Sequence, residues 1–246
     1  METKQRISRA KGRRVLLDIL VEPRQILSDV ITHRSWIVVS GMMALYVLAA
    51  MFTTVLLLQD GGLVSDYLDS MMKKRPASIS VERQQAARDR TRAALEMPGM
   101  SLLLGVRVGV SRTLRLCAFW IMLGTGGILT SQSWGSFPRV VLGAAASVPI
   151  LTLGSLINGL SRMAFHDLNA VASLSGLLSP CGTNSLGCFA LTNVDVFVLW
   201  YLGVVSIGCA VALHSTTTKA LMLVVPTWAL VVVCSFLTDA GAGWTL

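Results

Sequence analysis

Five stretches of the chain, 35–59, 116–138, 140–161, 196–218 and 220–238, contain no Asp, Glu, Lys or Arg. Crossing a hydrocarbon core takes about 20 mostly apolar residues, roughly 17–25. Each stretch is long enough, and each is rich in Leu, Val, Ile and Ala. The pattern predicts spanning helices at about 36–58, 113–133, 140–160, 196–214 and 219–238. A sixth uncharged stretch, 168–194, is broken by SPCGTNSLG, a run of turn residues that no lipid-exposed helix would carry. Its first half, LNAVASLSGLL, is too short to span and reads as interfacial.

Upstream of the first span, Leu16, Leu17, Leu20, Val21, Ile26, Leu27 and Val30 recur near helical spacing, and Pro23 divides them into two short amphipathic pieces. Such pieces lie in the membrane interface. The expected fold is therefore all-α: an integral membrane bundle of five transmembrane helices behind an N-terminal interfacial amphipathic segment. Residues 1–35 form a basic tail with that segment, and 36–246 form the membrane domain, with a charged helical loop at 59–112. Within the loop, Ser80 to Glu96 reads as a solvated surface helix, with Glu82 in its first turn and Pro98-Gly99 after its end.

Composition agrees. Of 246 residues, 53% are hydrophobic and 14% charged, against roughly 25% charged in soluble domains. Mean hydropathy is +0.65. The first 35 residues lack the short apolar core and small-residue cleavage site of a secretory signal, so the first span is expected to act as an uncleaved anchor.

Charge also suggests orientation. Residues 1–35 carry eight Lys or Arg against four acids, which by the positive-inside rule places the N-terminus in the cytoplasm. With five spans the C-terminus then ends outside, with Trp244 suited to the headgroup belt. The 59–115 segment, with ten Lys or Arg, falls outside against that rule. Loops approaching about 60 residues cross largely regardless of charge.

Candidate chemistry is sparse. Cys117, Cys209 and Cys234 fall within spans and read as small packing residues. Cys181 and Cys188 bracket a six-residue loop on the expected outer side, where an oxidising compartment would allow a disulfide. A metal pair is disfavoured because neither His nor a second Cys pair accompanies them at finger-like spacing. His33 precedes a span and His214 ends one, while His166 and Asp167 are adjacent. Neighbours on a helix diverge by about 100°, so that pair does not converge on one substrate. HExxH, GxSxG and P-loop motifs are absent, as is a charge at the middle of any predicted span. Catalysis, a metal or another cofactor, and a nucleic-acid partner are not expected.

The spans carry a grammar of packing. The third, VVLGAAASVPILTLGSLING, is rich in small residues, among them Gly143, Ser147 and Gly154, which let helices approach closely in lipid. Pro149 frees the carbonyl of Ala145, and Pro226 that of Met222, so kinks are expected in the third and fifth spans. Gly105 and Gly109 form a GxxxG at the edge of the second span among arginines, which weakens it as a packing signal. At the head of the fourth span, TNVDVFVLW places Thr192 and Asp195 three apart, the capping-box spacing. Asp195 then marks a helix start, and a functional carboxylate is the competing reading.

The order of features resembles the Yip-one (Ypt-interacting protein one) membrane domain family, bacterial type, from about Leu16 to Leu237. ILVEPRQILSDVITHRSW is similar to the family's lead-in to its first span, and SWGSFPRVVLGAAASVPILTLGSLI to its third, with Pro149 inside. Asp195, Phe197 and Trp200, followed by Gly208, a Ser/Thr loop and Lys219, resemble the family's fourth and fifth spans. The Cys181 and Cys188 loop and the basic 59–115 segment depart from the pattern. The resemblance implies a five-span bundle in the bacterial cytoplasmic membrane, N-terminus inside and C-terminus outside, without catalytic activity. It further implies an accessory or assembly role beside another integral membrane protein, an ABC-type exporter being one such partner. The alternative is a small transporter or channel whose kinked third and fifth spans line the path.

Overall fold

The computed structural model describes residues 23–33, 36–60, 62–65, 68, 81–95, 97, 99–166 and 194–242. Every regular element among them is a helix: α1 (Pro23–His33), α2 (Trp36–Gln59), α3 (Val81–Leu95), α4 (Met100–Ser131), α5 (Ser136–Ala146), α6 (Val148–Phe165), α7 (Val196–Ala212) and α8 (Thr217–Ala242). Four stretches are long and apolar enough to cross a membrane: α2, α4, the consecutive pair α5–α6 over Ser136–Phe165, and α8 over Thr217–Thr238. The fourth expected span, 196–214, is the shorter apolar helix α7, with 17 residues. The basic tail up to position 22, the 168–178 segment, Cys181, Cys188, Asp167, Thr192 and Trp244 lie outside the described residues.

Two boundaries differ from expectation. α4 begins at Met100 rather than near 113, and so takes in Arg107 and Arg112 as well as Arg115 of the expected span. The GxxxG explains how. A methyl built on Gly105 would stand 3.2 Å from the Met51 carbonyl oxygen, and one on Gly109 would stand 3.3 Å from the Val47 and Met51 side chains. The bare backbone of α4 therefore lies directly on α2, while Arg107 between the glycines points outward. What reads as a weak signal at a span edge is a working helix–helix contact. The pairing of 105 with 51–55 and 109 with 47–51 also makes α2 and α4 antiparallel.

The second difference is α1. Pro23 opens it, as proline favours at a first helical position. Leu27, Val30 and Ile31 are buried in the common core, so this helix docks on the bundle, chiefly against α7 and α5, instead of resting only in the lipid interface. α3 is a polar helix whose described side chains are exposed or half-buried.

The centre of the bundle is α5 and α7. Leu142, Ala144, Ala145 and Ala146 of α5 are fully buried, as is Val205 of α7. A methyl on Gly143 would meet the Gly208 backbone at 3.2 Å, and the converse holds for Gly208. Neither position has room for a side chain. The third span breaks at Ser147 between α5 and α6, with Pro149 in the first turn of α6. Proline there cannot bond the Ala145 carbonyl, and the Ser147 hydroxyl donates to Gly143 O at 3.1 Å. At Pro226, in contrast, α8 continues without interruption, and the Thr227 hydroxyl donates to Leu223 O at 2.7 Å.

Candidate functional site

α7 starts deeper in the bundle than its neighbours. Asp195 precedes it with extended backbone (φ −114°, ψ 172°), and its Oδ1 accepts from the Val198 N–H at 2.6 Å. Asp195 is thus the N-cap itself. The capping box with Thr192 would have made it the third helical residue, a register set aside by the bond to Val198. Its Oδ2 accepts from Asn158 Nδ2 at 2.8 Å. Asn158 lies seven residues before the end of α6 at Phe165, about 10 Å along the helix.

Asn158 belongs to a polar face. Ser155, Asn158 and Arg162 follow one another at spacings of three and four on α6, which places them on one side of a helix. Arg112 of α4 donates to Ser155 Oγ at 3.3 Å. Arg162 Nε is buried and has no hydrogen-bond partner, and the Arg112 charge acts on Arg162 as a like charge. On α2, Tyr46 is 7% exposed and lies within electrostatic reach of Arg112, Arg115 and Asp195. Four helices therefore bring three guanidiniums, an amide, a hydroxyl, a phenol and one carboxylate together beside the apolar core.

Nearer the end of α6, His166 closes that helix in the left-handed region (φ 47°). Its Nδ1 bonds Asp60 Oδ2 at 2.8 Å, tying the end of α6 to the end of α2. The ring therefore pairs with a carboxylate 106 positions away. Asp60 also accepts from the Gly62 and Leu63 N–H groups at 2.9 and 3.2 Å. The bond from Leu63, followed by the one with His166, holds its carboxyl below the usual carboxylate range.

The other residues singled out from sequence do not converge. Phe197 packs where a Gly154 side chain would be, since a methyl on Gly154 would stand 2.6 Å from Phe197 Cβ. Trp200 is 37% exposed on the bundle surface. Gly208 lies against Gly143 thirteen residues beyond Asp195, about 20 Å along the helix. Lys219 and Pro226 are exposed on α8. These residues shape helices and their contacts. No group of three or more His, Cys, Asp or Glu suited to a metal occurs among the described residues.

At the opposite end of α7, an open cleft of ≈ 770 Å³ is lined by Arg24, Ser28, Asp29, His214 and Ser215. Ser215 Oγ is buried there without a partner. His214 follows the helix in the left-handed region (φ 50°).

Arg112 and Arg162 escape a search by charge because each lies just beyond an uncharged window, at positions that read as loop. One signal was available. Asn158 is the only asparagine in the five uncharged windows, and an amide in a span is a candidate for an interhelical hydrogen bond. Comparison with models of known protein families, with curated proteins and with solved structures finds no match to this chain.

Proposed function

We propose that the chain is a five-span bundle, with α7 as its fourth crossing, and a non-catalytic accessory or assembly subunit of a larger membrane complex. Its N-terminus is then cytoplasmic and its C-terminus outside, in a bacterial cytoplasmic membrane. The partner class follows from the likeness to the Yip-one family and is an integral membrane protein, an ABC-type exporter foremost. At about 26 Å, α7 meets the lower limit for crossing.

The observation that carries the reading is the contact between Gly143 and Gly208. It closes the space between the broken third span and α7, and the fifth span, the other wall a transport path would need, runs through Pro226 as one helix. On the outside, α2 and α8 keep broad apolar faces, including Ile37, Leu48, Phe52, Met222, Val225 and Leu230. Lipid covers such faces, and membrane helices of a partner can replace it.

The test is crosslinking in cells, followed by purification in mild detergent and identification of co-purified membrane proteins. The proposal expects one stable partner whose association weakens when 80–96 is deleted. Isolation of the chain alone under all mild conditions overturns it. Accessibility of an engineered C-terminal cysteine to an impermeant reagent tests orientation, and protection in intact cells reverses the topology.

A further inference from the structure

The face formed by Arg112, Ser155, Asn158 and Arg162 runs from about one to nearly three helical turns inside the end of α6. Two guanidiniums there share their surroundings with one carboxylate, Asp195. Both oxygens of that carboxylate are engaged, one by the Val198 N–H and the other by Asn158. Arg162 is half-buried, has Arg112 near it as a like charge, and keeps a buried Nε–H without an acceptor. A buried donor without a partner is costly, and positive charge beside hydrocarbon is costlier still. The arrangement is one in which an anion would remove a penalty that packing alone leaves in place.

We propose that this face binds a phosphate-type oxyanion, held by Arg112 and Arg162, with the Ser155 hydroxyl beside it. The planar guanidinium presents paired N–H groups that match the oxygens of a phosphate. With α6 crossing the membrane, Arg162 lies within a turn of its end, near the boundary between headgroups and acyl chains, so the phosphate of an anionic lipid and free phosphate offer the same chemistry. The proposal requires that α4 and α6 cross the membrane. It does not require the accessory role, so loss of a partner protein leaves it standing.

The experiment is thermal unfolding of the purified full chain in non-ionic detergent, followed by tryptophan fluorescence. The probes are phosphatidylglycerol, phosphatidylcholine and inorganic phosphate. Ligand that binds only the folded form raises Tm, and a rise of about 3 °C or more is expected with an oxyanion probe. Arg112→Gln and Arg162→Gln should each remove most of that rise, and Arg162→Lys should retain only part of it. Arg90→Gln, on the exposed helix α3, should leave it intact. A response to phosphatidylglycerol alone assigns a lipid, and a response to inorganic phosphate assigns the free anion. The proposal is overturned if neither probe shifts Tm, or if the shift persists undiminished in both glutamine variants. Should the glutamine variants fail to fold, an undiminished shift in Arg162→Lys overturns it equally.

Discussion

Asn158 donates to Asp195 across 37 positions of sequence, and this bond at 2.8 Å ties the start of α7 to α6. The same carboxylate caps α7 through Val198. Asp195→Ala removes both bonds. Loss of an N-cap costs about 1 kcal/mol, and an interhelical hydrogen bond in a membrane bundle contributes on the order of 0.6 kcal/mol. Asp195→Ala is expected to destabilise by about 1.5–2 kcal/mol. Asp195→Asn, which can still cap, should cost less than about 1 kcal/mol. Unfolding in a detergent titration distinguishes the two, and equal losses would argue against the cap.

Two glycines of α7 should respond in opposite ways to the same change. A methyl on Gly208 meets the Gly143 backbone at 3.2 Å, whereas one on Gly203 has nothing within 4 Å. Overpacking of this kind costs about 1–3 kcal/mol, while Gly→Ala in an unobstructed helix gains up to about 1 kcal/mol. Gly208→Ala is therefore expected to lower Tm, and Gly203→Ala to hold or raise it. The comparison is read directly from thermal unfolding of the two variants.

The tie between the ends of α2 and α6 should loosen in acid. The folded state lowers the Asp60 carboxyl, chiefly through the Leu63 N–H and then through His166. A lowered carboxylate contributes stability above its unfolded value, about 3.9. That contribution disappears as pH falls through the folded value. Below about pH 4, Tm should decline, and Asp60→Asn should flatten that limb while lowering Tm at pH 7. A variant whose acid limb is unchanged would separate Asp60 from the effect.

In the core, Trp120 Nε1 donates to the Tyr201 hydroxyl at 3.0 Å, and both residues are buried. Tyr201→Phe leaves the indole N–H without its acceptor, which costs about 1–3 kcal/mol. Trp120→Phe with Tyr201→Phe removes both partners, so the double variant should lose less than the sum of the single ones. A double-mutant cycle on unfolding free energies checks this coupling.

The sequence pattern anticipates the helices well where charge is absent and poorly where charge is tolerated. Trp36–Gln59 follows the uncharged window closely, because lipid exposure along α2 demands apolar residues throughout. α4 extends past its window because Arg107 can turn outward while Gly105 and Gly109 face α2. A count of charges registers the arginines and not the direction each takes. The break at Ser147 follows from Pro149, yet Pro226 interrupts nothing. Proline removes one hydrogen bond in either place, and the surroundings decide whether the helix divides.

The polar face was the least legible part. Its members come from α2, α4, α6 and the head of α7, so no local spacing reveals them. Arg112 meets Ser155 across 43 positions, a relation set by how far α4 reaches along the bundle. Asp195 was visible as a helix boundary, but its partner Asn158 was set by the depth at which that boundary lies.

The shortness of α7 also bears on the membrane itself. α2 has 24 residues and α7 has 17, a difference of about 10 Å in length. With α7 as the proposed fourth crossing, lipid beside Val196 and Leu199, both exposed, would meet a lower hydrophobic wall than lipid beside α2. The bilayer would then thin on that side, at a fraction of a kcal/mol per ångström of mismatch. A bundle of such uneven height would gather shorter acyl chains along one flank, and by that means would have a preferred neighbourhood within the membrane.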